Sequence, residues 1–264
     1  MASSGVEAHQ AWDSAALFRF AWTAASALVV ESLLLGLAAL PALAFFDWHL
    51  RWDVDPAWWH TIVLVMALVP AYVIFAVLLM VLSAGAMRVL RWRPEAPAEM
   101  PIAELGWPLC RWARYQISAH IVGFFAGGLL RATPLWSFYM RLNGAKLGRR
   151  VWVNSLGVPD HCLLDFGDDV VIGAGVHLSG HTVERGVVRT APIRIGAGST
   201  IGVNAHVEIG ADIGAHVQIG SLSMVPKFTT LEGPGTYVGV PARLIERQEP
   251  AGREEEEEEE AERR

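Results

Sequence analysis

The sequence I-R-I-G-A-G-S-T-I-G-V-N-A-H-V-E-I-G-A-D-I-G-A-H-V-Q-I-G-S-L-S-M-V, residues 193–225, repeats with a period of six residues. A glycine follows most of its aliphatic positions, and the fourth residue after each is small or β-branched. A short fixed period with glycine at its turns is typical of a solenoid of stacked short strands. We therefore predict an all-β solenoid whose aliphatic residues form an inward ladder. The ladder positions are Ile195, Ile201, Val207, Ile213, Ile219 and Val225.

The repeat is interrupted once. Earlier hexads run up to Leu178, and the regular ladder restarts at Ile195, a spacing that is not a multiple of six. The chain must therefore leave the solenoid between about residues 179 and 192 and then return. Because excursions from a rigid repeat scaffold commonly carry function, we expect the site there. We place the solenoid domain at residues 147–247.

The N-terminal third is much more apolar than the solenoid. Hydrophobic residues make up 53% of the chain, and two of its segments, Phe20–Phe46 and Thr61–Met87, are almost entirely apolar. Only Glu31 interrupts the first segment, and each exceeds the roughly 20 residues that a helix needs to cross a bilayer. We predict an α-helical two-span transmembrane hairpin over residues 15–92, after a polar leader at 1–14.

Basic residues predict the orientation of this hairpin. The loop between the two spans carries only Arg51, whereas several arginines follow the second span. The positive-inside rule then places the solenoid and both termini in the cytoplasm, with the chain as a multi-pass protein of the inner (plasma) membrane. A cytosolic solenoid keeps its cysteines as thiols. The arginines after the second span are Arg88, Arg91, Arg93, Arg111 and Arg114.

Two further segments flank the solenoid. Residues 93–146 form a connector, whose apolar stretch Ile117–Leu130 is too short to span a bilayer and suits an interfacial helix or one docked on the hairpin. Residues 248–264 form an acidic tail that is disordered by composition. Its residues 251–264 hold eight glutamates and three arginines, which contribute −5 of the net charge of −6. With no basic patch elsewhere, we expect no nucleic-acid partner.

The repeat, over about residues 131–245, resembles the hexapeptide-repeat acyltransferase superfamily. That resemblance implies a left-handed parallel β-helix, three hexads per coil and a homotrimer or other homo-oligomer. The hairpin followed by P-L-W-S-F-Y-M-R-L-N-G-A-K-L-G-R-R-V (134–151) and G-H-T-V-E-R (180–185) looks like the membrane-bound C-terminal region of polylysine-synthetase-type nonribosomal peptide synthetases. Those proteins repeat such units around several membrane segments. Because one hairpin and one solenoid depart from that pattern, we expect acyl transfer rather than peptide-bond formation.

Acyl transfer from a thioester needs a base for the nucleophile, donors for the oxyanion and a groove for the carrier arm. His181 is the predicted general base, because it begins the excursion, where the superfamily typically places its catalytic histidine. Glu184, three residues later, is predicted to orient the imidazole and to stabilise its charged form.

Other polar residues are candidates on the acceptor side. His177 ends its hexad four residues before His181 and is a candidate substrate contact. His161 and Asp165 flank the irregular early coil and are candidates for the border of the acceptor pocket. Asp160 is interpreted as a turn residue. The acceptor itself is a small molecule or a lipid-linked compound, and its attacking group is a hydroxyl or an amine.

The stretch I-G-S-L-S-M-V-P-K-F (219–228) resembles the superfamily's donor groove. Gly220, Ser221 and Ser223 match positions that contact the pantetheine arm. Lys227 matches a basic residue that often meets a nucleotide phosphate of coenzyme A. We expect no bound cofactor or metal, and the donor is acyl-coenzyme A or a carrier-protein thioester.

Two alternative functions remain open on the sequence alone. The first is a metal-dependent hydratase resembling the γ-class carbonic anhydrases, in which three histidines from neighbouring subunits would hold a zinc ion. His177 and His181 have that family's short gap, whereas the upstream His161 is nearer to them than the family's third histidine. The second is a non-catalytic, membrane-tethered scaffold of a synthetase pathway, which would tolerate His181→Ala.

Overall fold

A computed structural model of the chain describes residues 13–53 and 55–245. The acidic tail, and the leader apart from its last two residues, lie outside the described residues. The order of elements is a helical hairpin, a short strand, a connector helix and then the solenoid. The helices are α1 (Ser14–Leu50), α2 (Ala57–Val89), α3 (Trp107–Val122), a π-helical turn (Gly123–Gly127), α4 (Gly128–Leu130) and α5 (Pro134–Leu142).

Helices α1 and α2 pack against each other as an antiparallel pair. Asp13 caps α1, because its carboxylate accepts a hydrogen bond from the Ala16 amide at 2.6 Å. Both helices are long and apolar enough to cross a membrane. Only 22% and 17% of the residues in their most apolar stretches are buried inside the protein, so most of these side chains face outward.

Helix α3, the π-helical turn and α4 run on from one another over residues 107–130, which we call the connector helix. This helix docks on the hairpin, one of the two arrangements expected for its apolar stretch. Val122 is fully buried and belongs to the same core as Leu79 of α2. Between the same two helices, the hydroxyl groups of Ser83 and Ser118 lie 2.9 Å apart in a buried hydrogen bond.

The solenoid is a parallel β-helix with three faces, the number of hexads per coil that the family resemblance implies. Strands on one face are three hexads apart, so that Ile195, Ile213 and Leu231 stack in register. The first face holds β2 (Lys146–Leu147), β4 (Leu164–Phe166), β9 (Ile193–Ile195), β12 (Asp212–Ile213) and β15 (Thr230–Leu231). The second holds β3 (Trp152–Val153), β5 (Val171–Ile172), β10 (Thr200–Ile201), β13 (Val217–Ile219) and β16 (Gly235–Val238), with β17 (Arg243–Ile245) antiparallel at its edge. The third holds β6 (His177–Leu178), β11 (His206–Val207) and β14 (Met224–Val225).

The predicted excursion is an antiparallel hairpin of β7 (His181–Glu184) and β8 (Val187–Thr190). Strand β1 (Ala98–Pro101) of the connector adds to its free edge and makes a three-stranded sheet. A side-chain bond reinforces this edge, since the Thr190 hydroxyl donates to the Glu95 carbonyl at 2.8 Å. The excursion is therefore fixed to the connector.

The first coil departs from the repeat at the third face. Below β6 the described chain forms no strand, although the Leu178 amide donates to the Gly157 carbonyl there, and a short 3-10 helix, His161–Leu163, follows before β4. Asp160 immediately precedes this turn and is fully buried. The two irregularities, the turn and the hairpin, therefore meet on the same side of the solenoid.

Candidate active site

A polar cleft of about 220 Å³ opens where the excursion leaves the third face. Strands β6, β7 and β11 supply most of its walls, and the segment after β14 closes one side. We call it the histidine cleft, because three imidazoles line it. Its lining residues are His177, Ser179, His181, Thr182, Val183, His206, Glu208, Ile209 and Lys227.

His181 is paired with a buried carboxylate. Its Nδ1 lies 2.6 Å from Oδ2 of Asp160, and Asp160 has no exposed surface. The other carboxylate oxygen accepts a hydrogen bond from Gln116 of the connector helix at 2.5 Å. A carboxylate at Nδ1 favours the tautomer with the proton on that nitrogen, which leaves the Nε2 lone pair free to accept a proton.

Gly180 makes this pairing possible. A β-carbon at residue 180 would lie 3.0 Å from the Asp160 β-carbon and 2.9 Å from a methyl group of Leu163. Any larger residue would therefore push β7 away from the turn that carries Asp160. The Trp112 ring also packs against His181, with the two ring centroids 5.0 Å apart and the ring planes inclined at 67°. The imidazole is held in one orientation between these groups.

The prediction that Glu184 orients His181 is wrong. The Glu184 carboxylate instead accepts a hydrogen bond from Lys227, and that bond and charge lower the pKa of Glu184. The physical reason is the strand period: residues three apart share a face of a helix but point to opposite faces of a strand, and both lie in β7. Asp160, interpreted from the sequence as a turn residue, takes the orienting position.

Two predicted contacts do lie in the histidine cleft. The rings of His177 and His206, on neighbouring strands, lie 4.5 Å apart. Burial, followed by the charges of His206 and His181, lowers the pKa of His177, so this imidazole is neutral at pH 7. Lys227 also lines the cleft, where its ammonium bridges Glu184 and, at 4.0 Å, Glu208.

The other predicted site residues lie elsewhere. Asp165 is 3.7 Å from Lys146 on the first face, as part of an ion pair at the surface. A β-carbon at Gly220 would lie 2.7 Å from Val238. The Ser223 hydroxyl is buried and accepts a hydrogen bond from the Gly239 amide at 3.0 Å, whereas Ser221 is exposed. None of these four residues lines the histidine cleft.

His161 is separated from the histidine cleft and lines a second cavity, between the first coil and the connector helix. It is almost fully buried, and this burial lowers its pKa to about 4. Within the described residues, no group of three or more histidine, cysteine or carboxylate side chains is placed to hold a metal ion.

Sequence reasoning missed Asp160 and Gln116. The available signal for Asp160 was its place in the irregular coil, one turn of the solenoid below the excursion. No periodicity of the sequence connects residue 116 to residue 160, because the contact depends on how the connector helix docks.

Comparisons with known proteins agree with the resemblance noted in the sequence. No family model matches the chain. The delta-poly-L-ornithine synthetase of Acinetobacter baumannii (strain AB307-0294) is 20% identical over 113 residues, which are 43% of this chain and 8% of that protein. This chain therefore matches only a small part of that relative's length.

Several solved structures similar to the chain are acetyltransferases. One is a maltose O-acetyltransferase from Clostridium difficile 630 (18% identity, TM-score 0.35, covering 44% of this chain and 75% of that one). A second is a hexapeptide-repeat acetyltransferase from Vibrio cholerae (15% identity, TM-score 0.40, covering 52% of this chain and 92% of that one). A third is a galactoside acetyltransferase in complex with coenzyme A (21% identity, TM-score 0.40, covering 52% of this chain and 82% of that one).

Proposed function

We propose that this chain is an acyltransferase that moves an acyl group, by default acetyl, from a thioester to a hydroxyl or amine. His181 is the general base and Asp160 its positioning residue. The observation that carries the proposal is the bond from His181 Nδ1 to a buried carboxylate, at the wall of a polar cleft. An imidazole fixed in this way has one nitrogen available for proton transfer near neutral pH.

The proposed reaction uses that geometry. The acceptor oxygen or nitrogen attacks the thioester carbonyl carbon while Nε2 of His181 takes its proton. The Asp160 carboxylate stabilises the resulting imidazolium through Nδ1. Collapse of the tetrahedral intermediate breaks the carbon–sulfur bond, and the imidazolium returns the proton to the departing thiolate. The products are an ester or amide and a free thiol.

The rest of the histidine cleft suits the two substrates. Neutral His177 can donate or accept one hydrogen bond and is the proposed contact for the acceptor. Lys227 is the proposed contact for a phosphate of the donor, since its ammonium lies at the cleft wall. Coenzyme A and the arm of a carrier protein both present a phosphate, so the donor is acyl-coenzyme A or a carrier-protein thioester.

We further propose that the hairpin anchors the enzyme in the inner membrane, with the solenoid in the cytoplasm. Large apolar side chains such as Phe18, Leu40 and Leu68 are exposed along both helices, which water would penalise. Trp48 and Trp58 stand exposed near the turn, as in an interfacial aromatic belt. The resemblance to hexapeptide-repeat acyltransferases supports, as a further part of the proposal, a homotrimer or other homo-oligomer.

The enzymatic part of the proposal is tested by thiol release from acetyl-coenzyme A. Detergent-purified protein is assayed with a panel of amine and hydroxyl acceptors, alongside His181→Ala and the control His216→Asn. His216 is an exposed residue of the regular coils with φ of 56°, a conformation that asparagine tolerates. We expect acceptor-dependent release that is lost only in His181→Ala. Equal release by all three proteins would contradict the assignment of the base.

The anchoring is tested by alkaline extraction of cell membranes that contain the full chain. We expect the protein to remain in the membrane pellet at high pH. Quantitative release into the supernatant would show that the hairpin does not insert.

A further inference from the structure

The connector helix contacts the hairpin with one face and the catalytic pair with the other. Residues four apart share one face of an α-helix. Arg114, Ser118 and Val122 have this spacing and contact the hairpin. Trp112 and Gln116 have the same spacing but begin two residues earlier, which turns them by about 200° around the helix axis. The sequence of the helix therefore gives it two opposite contact faces.

Two polar contacts fix the face towards the hairpin. Arg114 Nε donates a hydrogen bond to the Ser26 hydroxyl of α1 at 2.8 Å. One turn further along, the Ser118 hydroxyl shares its buried hydrogen bond with Ser83 of α2. Both serines have no exposed surface, so water does not compete for this bond from outside. The hairpin thus sets the rotation and the height of the connector helix.

The opposite face of the connector helix holds the catalytic pair. Gln116 Nε2 donates to Oδ1 of Asp160, while Nδ1 of His181 lies at Oδ2. Trp112 packs against the His181 ring. Within the described residues, these two contacts are the side-chain hydrogen bonds of the Asp160 carboxylate. Each of its oxygens therefore has one partner, and one of the two partners comes from the connector.

The second partner of Asp160 matters for the orientation of its carboxylate. A carboxylate that is held at one oxygen can still rotate about its bond to the β-carbon, whereas bonds at both oxygens fix its plane. Asp160 has no exposed surface, so removing the Gln116 donor leaves a charged oxygen buried without a partner. The carboxylate would then turn towards other donors, and the His181 imidazole would lose the bond that fixes its tautomer.

We propose that Gln116 is a second positioning residue of the active site, and that the hairpin sets its position through the connector helix. The inference rests on the proposed acyl transfer, in which His181 is the base. It gives the hairpin a role besides anchoring, because the membrane part then holds the helix that orients Asp160. Displacing the connector helix should therefore lower the catalytic rate while the solenoid stays folded.

The kinetic test replaces glutamine by methionine at two positions of the full chain. Gln116→Met keeps the length of the side chain and removes its N–H groups, whereas Gln218→Met makes the same change at an exposed position of the regular coils. For thiol release, Gln116→Met should lower kcat about ten- to hundredfold, the range for one hydrogen bond to a charged group, and change KM less than about twofold. Gln218→Met should match the wild type. Equal kcat in the two variants would overturn the proposal.

A double variant separates positioning from a general structural defect. If Gln116 acts only through Asp160, adding Gln116→Met to Asp160→Asn should lower kcat less than about twofold further. A defect elsewhere in the connector helix would instead multiply the two losses, and that result would contradict the positioning role.

The ring nitrogens of His181 provide a readout that requires no turnover. Protein labelled with nitrogen-15 histidine is measured by NMR at pH 8, where an ordinary imidazole is neutral, and His181 is assigned by its loss in His181→Ala. We expect one protonated nitrogen, Nδ1, and one unprotonated nitrogen, Nε2, in the wild type and in Gln218→Met. In Gln116→Met, exchange between the two tautomers should draw the two chemical shifts together. Unchanged shifts in Gln116→Met would count against the positioning role.

A second matched pair tests the role of the hairpin. Ser83→Leu places a larger side chain at the buried contact with Ser118, and Ser32→Leu places it at an exposed position of α1. Ser83→Leu should displace the connector helix, lower kcat about tenfold or more and alter the His181 shifts, whereas Ser32→Leu should do neither. Ser83→Val, with Ser32→Val as its control, is the smaller change if leucine prevents folding. Wild-type kcat and shifts in the folded Ser83 variant would refute the part played by the hairpin.

The two proposals fail separately in these experiments. Altered His181 shifts in Gln116→Met, together with no thiol release by the wild type, would support the positioning and refute acyl transfer. Thiol release that is lost in His181→Ala but unchanged in Gln116→Met would refute the positioning alone.

Discussion

The regular coils, residues 193–231, and the first coils, residues 146–190, share three faces but differ in what they do with them. In the regular coils each hexad adds one buried aliphatic residue, as Ile195, Ile213 and Leu231 show on the first face. In the first coils, the described chain forms no strand below β6 on the third face, a 3-10 turn follows there, and a hairpin is inserted after β6.

The two regions therefore have different roles in the molecule. The regular coils form a rigid stack whose exposed residues repeat without converging on one point. In the first coils, the turn supplies Asp160 and the hairpin supplies His181, so that two departures from the repeat build one site. Gln116 of the connector helix completes it. The regular repeat provides the rigid support, and the irregular segments hold the proposed catalytic pair, Asp160 and His181.

The most direct test of this difference between the regions is to replace one aspartate by asparagine in each of them. Asp160→Asn in the first coils should lower kcat about 10²–10⁴-fold, because an amide no longer holds the required tautomer or stabilises the imidazolium. Asp212→Asn in the regular coils removes only an exposed carboxylate that lies 3.6 Å from Arg194, so kcat should stay unchanged. Steady-state thiol release measures both. Equal losses would remove the distinction between the regions.

A core substitution tests the structural job of the regular coils. Ile213→Ala removes a ladder residue that is 1% exposed and should cost about 2–5 kcal/mol of unfolding free energy. Chemical denaturation measures this loss. Activity per folded molecule should not change, since Ile213 lies on a different face from His181. A selective loss of kcat with full stability would contradict the separation.

The pH dependence of stability tests the buried imidazole of the first coils. His161 has a pKa of about 4 in the folded chain and about 6.5 when unfolded, so its contribution is complete above pH 6.5 and is lost as the pH falls towards 4. The loss should reach at most about 3 kcal/mol. Thermal unfolding at pH 7 and pH 4.5 should show a smaller shift for His161→Phe than for the wild type. Identical shifts would show that His161 is solvated.

The smallest effect is expected at Glu184. Because its carboxylate pairs with Lys227 near the surface, Glu184→Gln should change kcat by less than about threefold. Thiol release at saturating donor measures this change, with Asp160→Asn as the reference. A loss as large as that of Asp160→Asn would restore Glu184 as the partner of His181.

The sequence predicted the features that periodicity controls. The six-residue period predicted the ladder from Ile195 onward. The break in that period between Leu178 and Ile195 located the excursion that carries His181. The contacts of Asp160 could not be predicted from the sequence, because a coil without regular repeats has no period from which to infer its register. The pairing of Glu184 failed for a related reason: the excursion is a strand, and its spacing was interpreted without knowing that.

The docking of the connector was only half predictable. Its apolar stretch indicated an interfacial helix or one docked on the hairpin, but neither the bond from Gln116 to Asp160 nor the strand Ala98–Pro101 beside β8 follows from local sequence. Both depend on where two distant segments meet in space.

The most direct test of the account is a double-mutant cycle on kcat with His181→Ala, Asp160→Asn and the combined variant. If Asp160 acts only through His181, the combined variant should be no slower than His181→Ala alone, because groups that act as a unit are not additive. If the two losses instead multiply, Asp160 and His181 act independently, and the pair does not form the catalytic unit that the first coils are proposed to build.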